Sequence, residues 1–252
     1  MKIITLARDL RRRKAREKQR LFAAEGVRAV EELLRSPLRI RGAIVAPQLT
    51  DAPRGAALLH LLRARGIEVS EVPALDFASA AETESPQGVL AIAELPELTA
   101  DALVLPAPAR LVVLDGVQDP GNVGTILRTA AALGASAVLA LPGTVDLWNA
   151  KVVRSAMGAH FHMPALACSW EELDRLRERD GIAIWGADAS GTPLEMLAPP
   201  ARLALLVGNE GAGLSAEGRS RASTLAALPI GTLVESLNVA VATGIFLYQL
   251  RT

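Results

Sequence analysis

Aromatic side chains make up only 3% of this 252-residue chain, so its core must be aliphatic and stacking of bases on aromatic platforms is at most a minor theme. A single cysteine, Cys168, excludes a disulfide framework and a cysteine-based zinc site, and suits a reducing compartment. His160 and His162 have no carboxylate or cysteine at ligand spacing, so they read as surface or core histidines and no metal is expected. No uninterrupted apolar run approaches the ~18 residues of a membrane-spanning helix. The opening MKIITLARDLRRRK lacks the apolar region of a signal peptide, and a soluble cytoplasmic protein is expected. Missing too are a G-x-S-x-G nucleophile elbow, a Walker lysine loop and a G-x-G-x-x-G fingerprint. The last absence disfavours a nicotinamide dehydrogenase.

Net charge is zero, with 27 cationic and 27 anionic residues, yet the charges are unevenly spread. Residues 1–41 hold 13 Lys/Arg against 5 Asp/Glu, residues 42–109 hold 3 against 9, and residues 110–252 hold 11 against 13. A basic arm on a slightly acidic body points to an anionic partner met through one end, and nucleic acid is the commonest. The arm equally fits a solvated amphipathic helix whose charges serve solubility.

Half of the chain is hydrophobic, enough for a sizeable core, and its length suits one large domain or two small ones. Residues 8–35 read as helical, interrupted near Gly26. Strand patterns follow at 39–46, 67–72 and 88–95, with a helical stretch at 52–66. A proline-bearing stretch then reads as a linker. The expected organisation is an N-terminal α/β domain over 1–97, a linker over 98–109 and a second α/β domain over 110–252. In the second half, strands are expected at 111–116, 137–141, 182–188 and 203–208, and LAALP (225–229) reads as a short one. Helices are expected after Asn122, at 151–161 and at 170–181. The segment 237–250, LNVAVATGIFLYQL, is apolar all round and is expected to be a buried helix.

Three motifs carry chemistry. In LDGVQDPGNVGTILRTAAALGA (114–135) a turn follows a strand at the kind of edge where open α/β sheets bind ligands. Asn122 suits an N-cap. Arg128 shares a helical face with Gly121, Gly124, Thr125 and Ala132, where small residues admit a ligand or a second backbone and a guanidinium can grip phosphate. A structural salt bridge is the rival reading of Arg128. LLVGNEGAGLS (205–215) places glycines 208, 211 and 213 after a buried strand, with Glu210 in a position that would repel a polyphosphate. In LPIGTLVESLNVAVATG (228–244), Glu235, Ser236 and Asn238 are expected in the first turn of the last helix, near its orphan N–H groups.

In order and spacing these motifs resemble those of the SpoU/TrmH family of SPOUT methyltransferases. The segments KAREKQRLFAAEGVRAVEELL and SPQGVLAI resemble the opening and closing of that family's N-terminal RNA-binding domain, which is similar to small ribosomal proteins. VDLWNAKVVRSAMGAHFHMPA is similar to a segment of its ribosomal-RNA members. The resemblance implies an α/β fold with a Rossmann-like, trefoil-knotted C-terminal domain, a homodimer, and S-adenosylmethionine-dependent 2′-O-methylation of a ribose, with large-subunit ribosomal RNA favoured. A transfer-RNA methyltransferase and a catalytically inactive RNA-binding assembly factor are the alternatives. It assigns Asn122, Arg128, Glu210, Ser236 and Asn238 to catalysis and substrate. Gly208, Asn209, Gly211, Leu228, Ile230 and Leu237 are assigned to the cofactor, and Arg11, Arg12, Arg13, Lys14, Arg16, Lys18 and Arg20 to RNA. A guanidinium is effectively always protonated, so Arg128 is expected to hold the adjacent phosphate and acidify the hydroxyl, the proton leaving through phosphate, water or Glu210.

Overall fold

The computed structural model describes residues 3–251, which divide into two units: residues up to 97 together with 148–162, and residues 98–147 together with 163 onward. Lys2, one cation of the basic arm, lies outside the described residues.

The first unit departs from a continuous helix over 8–35. It opens with α1 (Ile3–Asp9) and α2 (Arg13–Gln19), then turns through Arg20, whose φ of 56° ends α2, into β1 (Leu21–Glu25) and α3 (Val27–Arg35). Leu-Phe-Ala-Ala-Glu favours a helix locally, but tertiary pairing wins. β1 lies antiparallel to β4 (Val89–Glu94) with Phe22 opposite Ala93, and Phe22 and Ala24 are buried. Between them come β2 (Ile40–Val45), α4 (Pro53–Ala64), β3 (Val69–Glu71) and α5 (Ala74–Ala80), giving a sheet of order β1-β4-β2-β3.

In the second unit every strand pairing is parallel. β5 (Ala109–Asp115), α6 (Pro120–Ala132) and β6 (Ala137–Ala140) open it; α7 (Ala150–Ala156) belongs to the first unit; β7 (Ala165–Ala167) and α8 (Trp170–Asp180) follow. β8 (Ala183–Pro193), β9 (Arg202–Gly208), α9 (Ala216–Arg221), β10 (Thr224–Ala227) and α10 (Val239–Leu250) complete a six-stranded sheet of order β10-β8-β9-β5-β6-β7. All seven residues of β5 are buried, as a parallel strand covered on both faces requires. α8 starts with a reciprocal capping box between Ser169 and Glu172 and ends at Gly181 in the left-handed region. Burial pushes the Cys168 thiol, in this unit's core, up to about 12, so it is inert at neutral pH.

The 98–109 stretch, expected as a linker, holds a 3-10 turn, Ala100–Ala102, buries Ala100 and Leu103 in the second unit's core, and ends inside β5. Two expectations need correction. α10 is not buried all round, because Val241, Ile245 and Tyr248 are 52%, 38% and 56% exposed. Its C-terminal end is held by buried Arg110, which donates to the carbonyls of Leu250 (2.7 Å), Ala201 (2.9 Å) and Pro200 (3.0 Å). Lastly, the 151–161 helix is shorter than the pattern suggests. α7 stops at Met157 in the left-handed region, and a 3-10 turn, Ala159–Phe161, follows.

The 148–162 excursion is anchored by aromatics. Trp148 packs on Phe22 with ring centroids 4.5 Å apart and on His160 at 4.6 Å. His160 is buried with both ring nitrogens unpartnered, and burial pushes its imidazole down to about 3. The folded value lies below the unfolded one, so the neutral ring's stability is complete above about pH 6.5. It drains as pH falls toward 3, at roughly 1.4 kcal/mol per unit. His160→Leu removes that slope without removing a hydrogen bond. Denaturant midpoints should fall less between pH 7 and pH 5 in H160L than in wild type; equal falls would contradict the assignment.

Candidate active site

The site forms where strand order reverses, because β5 and β9 lie side by side and their carboxyl ends coincide: Asp115 is opposite Gly208. Open parallel sheets bind ligands at such points. On one side, the turn after β5 leads into α6. Its N-cap is Asp119, not Asn122: the Asp119 Oδ1 accepts from the Asn122 N–H at 2.7 Å, with Pro120 at the first helical position. Relieved of capping, the Asn122 side chain reaches out to other loops.

On the other side, the loop after β9 folds back on the strand that feeds it. Asn209 and Gly213 exchange backbone hydrogen bonds at 2.9 Å, and Gly213 takes a φ of 69°. A Cβ on Gly208 would stand 2.2 Å from the Gly213 carbonyl carbon, so only glycine permits this fold-back. The Asn209 side chain ties the loop together: Oδ1 accepts from Gly211 and Ala212, and Nδ2 donates to the Gly116 carbonyl at 2.9 Å. Asn209 therefore shapes the site through the backbone.

The third wall is the segment after β10. Helix α10 starts later than its sequence suggests: Glu235 and Ser236 lie in the exposed loop before it, and Asn238 is the N-cap, its Oδ1 accepting from Ala240 (2.9 Å) and Val241 (3.3 Å). Capping fixes the orientation of the Asn238 amide. Its Nδ2 donates to Asn122 Oδ1 at 3.0 Å, and Asn122 Nδ2 donates to Glu210 Oε1 at 2.9 Å. The three motifs thus meet in one polar chain running from a helix N-terminus to a carboxylate.

Beside this chain opens a cleft of about 560 Å³, within the roughly 300–1,000 Å³ of small-molecule sites. Gly208, Asn209 and Gly211 line it from the loop after β9; Leu228, Ile230, Ser236 and Leu237 line it from the segment after β10. Asp188 and Arg219, which carry no signal in the sequence, also face it as an ion pair of 2.5 Å. Burial raises the Asp188 carboxyl, but hydrogen bonds from Ser190 and the charge of Arg219 outweigh it and hold Asp188 below the ordinary carboxylate value. The lining suits a cationic, partly apolar ligand such as S-adenosylmethionine: carboxylates at Glu210 and Glu235, the Asp188 carboxylate being neutralised by Arg219, with aliphatic side chains at 228, 230 and 237.

Arg128 stands apart from the cleft lining, on the exposed face of α6. Of its expected small neighbours, Gly124 is buried and faces inward; Thr125 is exposed and donates to the Gly121 carbonyl. Thr125 and Thr129 line a second, apolar groove of about 400 Å³ with Val241, Ile245 and Tyr248 of α10. In the first unit, Arg16 is buried and donates to the carbonyls of Leu10 (2.7 Å) and Arg11 (2.9 Å), which removes it from any surface. Arg11, Arg12, Arg13, Lys14, Lys18 and Arg20 are exposed.

The model of the SpoU rRNA Methylase family matches residues 109–248, and that of the MRM3-like substrate binding domain matches residues 2–91. The 23S rRNA (guanosine(2553)-2′-O)-methyltransferase RlmP of Bacillus subtilis is 35% identical over 245 residues, covering 97% of this chain and 94% of that protein. The AdoMet-bound rRNA methyltransferase of Sinorhizobium meliloti superposes with a TM-score of 0.86 at 31% identity, over 99% of this chain and 94% of that one. AviRb of Streptomyces viridochromogenes, a SpoU methyltransferase in complex with AdoMet, gives 0.87 at 26% identity, over 99% and 97%.

Proposed function

The chain belongs to the SpoU rRNA methylase family, and on that premise we propose that it methylates a ribose 2′-hydroxyl of large-subunit ribosomal RNA with S-adenosylmethionine as donor. The observation that carries this reading is the convergence of Asn238, Asn122 and Glu210 at the rim of the cleft.

Bound in the cleft, S-adenosylmethionine supplies an electrophilic methyl group on a sulfonium. The residues of the chain have three tasks. Backbone around Gly208 and Gly211, with Leu228, Ile230 and Leu237, would hold the cofactor. Asn122 and Asn238, each with its amide orientation fixed by the chain of hydrogen bonds, position the ribose and the Ser236 loop. Arg128 grips the phosphate beside the target ribose and stabilises charge developing on the 2′-oxygen. Held beside that donor, the 2′-hydroxyl would be methylated on oxygen, and its proton would pass to phosphate, water or Glu210. Proximity and electrostatic positioning carry the acceleration.

The first unit is read as the RNA-binding part, and the chain as a cytoplasmic homodimer with the family's knot in the second unit. The exposed apolar groove between α6 and α10 supports the dimer reading, since Val241, Ile245 and Tyr248 would otherwise remain in water. Ile245→Arg should shift the protein to monomer in sedimentation; an unchanged dimer would place the interface elsewhere. For the function itself, calorimetry should show one S-adenosylmethionine bound per chain, and labelled methyl should pass to large-subunit rRNA. Transfer to tRNA alone would favour the transfer-RNA alternative, and absence of cofactor binding an inactive assembly factor.

A further inference from the structure

We propose that Lys151 and Arg154, on the excursion 148–162, contact phosphates of the RNA substrate and form part of the first unit's nucleic-acid surface. This deepens the reading of that unit as RNA-binding, and rests on it.

The cations of the N-terminal arm are largely engaged within their own unit. Arg12 pairs with Asp9, Arg13 with Glu17 at 2.7 Å and Arg11 with Glu82 at 3.8 Å, and Arg20 donates to the Pro96 carbonyl at 3.3 Å. Arg16 is buried. Such exposed pairs are weak and do not bar RNA binding, but each must open first. The excursion is different. WNAKVVRSAMGAHFH contains Lys151 and Arg154 and no Asp or Glu, whereas residues 42–109 carry nine acids against three cations. Of the acids near it, Glu32 is shared between Arg35 (2.8 Å) and His162 (3.5 Å), Glu25 accepts from the Glu82 N–H and the Thr83 hydroxyl, and Glu82 faces Arg11 at 3.8 Å.

The mounting is rigid. Asn149 caps α7 through the Lys151 N–H at 2.9 Å, and Val152, Val153 and Ala156 are buried. Lys151 and Arg154, three residues apart on the opposite face, are exposed. Phe22, Trp148 and Phe161 pack together, so three of the chain's eight aromatic residues hold this segment down. At Gly158 (φ 82°) the backbone comes so close to α3 that a Cβ would stand 2.6 Å from Glu32 Cβ. A segment pinned this firmly, with two cations outward, is suited to presenting them at fixed positions, as phosphate recognition requires.

The test is filter binding of the full-length protein to a large-subunit rRNA transcript across a salt series. Removing one cation that neutralises a phosphate should flatten the slope of log K against log[salt] by about 0.7–0.9. Lys151→Ala with Arg154→Ala should therefore reduce it by roughly 1.4–1.8 and weaken binding on the order of 30-fold at 0.1 M salt. K151R/R154K should restore the slope, and calorimetric affinity for S-adenosylmethionine should be unchanged in both variants. Wild-type protein that binds no rRNA would overturn the RNA reading itself. Binding whose affinity and slope survive K151A/R154A would overturn this surface alone.

Discussion

Arg128→Ala is expected to reduce methyl transfer about 10²–10³-fold, the cost of deleting one electrostatic partner of a developing oxyanion, while S-adenosylmethionine affinity stays within about threefold. The separation follows from geometry. Arg128 lies on the exposed face of α6 and does not line the cofactor cleft, whereas Gly208, Leu228 and Leu237 do. Calorimetry and single-turnover transfer measure the two quantities independently. Arg128→Lys sharpens the result: it keeps the charge but loses the fork that grips a phosphate through two parallel N–H bonds. An intermediate rate for R128K assigns part of the effect to charge and the remainder to bidentate geometry. Cofactor affinity that collapses with the rate would mean Arg128 shapes the cleft, and an unchanged rate would remove it from the reaction.

Gly208→Ala is expected to abolish cofactor binding at ordinary concentrations, by at least ~100-fold in Kd, for a reason unrelated to direct touch with the ligand. The added methyl would sit 2.2–2.4 Å from the Gly213 carbonyl and Leu214 nitrogen, both backbone atoms with nowhere to yield. The loop must open, breaking the Asn209–Gly213 bridge and moving Glu210 away from Asn122. Overpacking of this kind costs up to about 3 kcal/mol, so Tm should also fall by roughly 6–12 °C. Gly211→Ala is the control, because its Cβ meets only the Asn209 Oδ1 at 3.7 Å. Equal effects of the two substitutions would show that steric crowding at the strand end does not explain the loop.

Much of this is legible in the sequence where local chemistry and global packing agree. The buried run of β5, the Asp119-Pro120 helix start, the Ser169–Glu172 capping box and the three glycines after β9 all mark elements that form. The motif residues Asn122, Glu210 and Asn238 are identifiable, and the structure brings them together. Legibility fails where partners distant in the chain decide. β1 reads as helix until β4 pairs with it, and Arg16 reads as a surface cation until the carbonyls of Leu10 and Arg11 claim it. The cap of α6 falls at Asp119, three residues before Asn122, and there the signal is local, since Pro120 suits the first helical position. Asp188 and Arg219 give no signal at all: 31 positions apart in sequence, they meet only because β8 and α9 converge on the same cleft. The apolar pattern of α10 is plain, but its meaning is not, since an exposed apolar face is indistinguishable in sequence from a buried one.

The chemical position of the transferred methyl group shows whether the ribose is the acceptor. Large-subunit rRNA incubated with the protein and methyl-labelled S-adenosylmethionine is hydrolysed in alkali, which cleaves next to every free 2′-hydroxyl. The label is expected in an alkali-stable dinucleotide, formed by wild type and absent with R128A. Label recovered in mononucleotides would mean a base had been methylated, and would contradict ribose methylation.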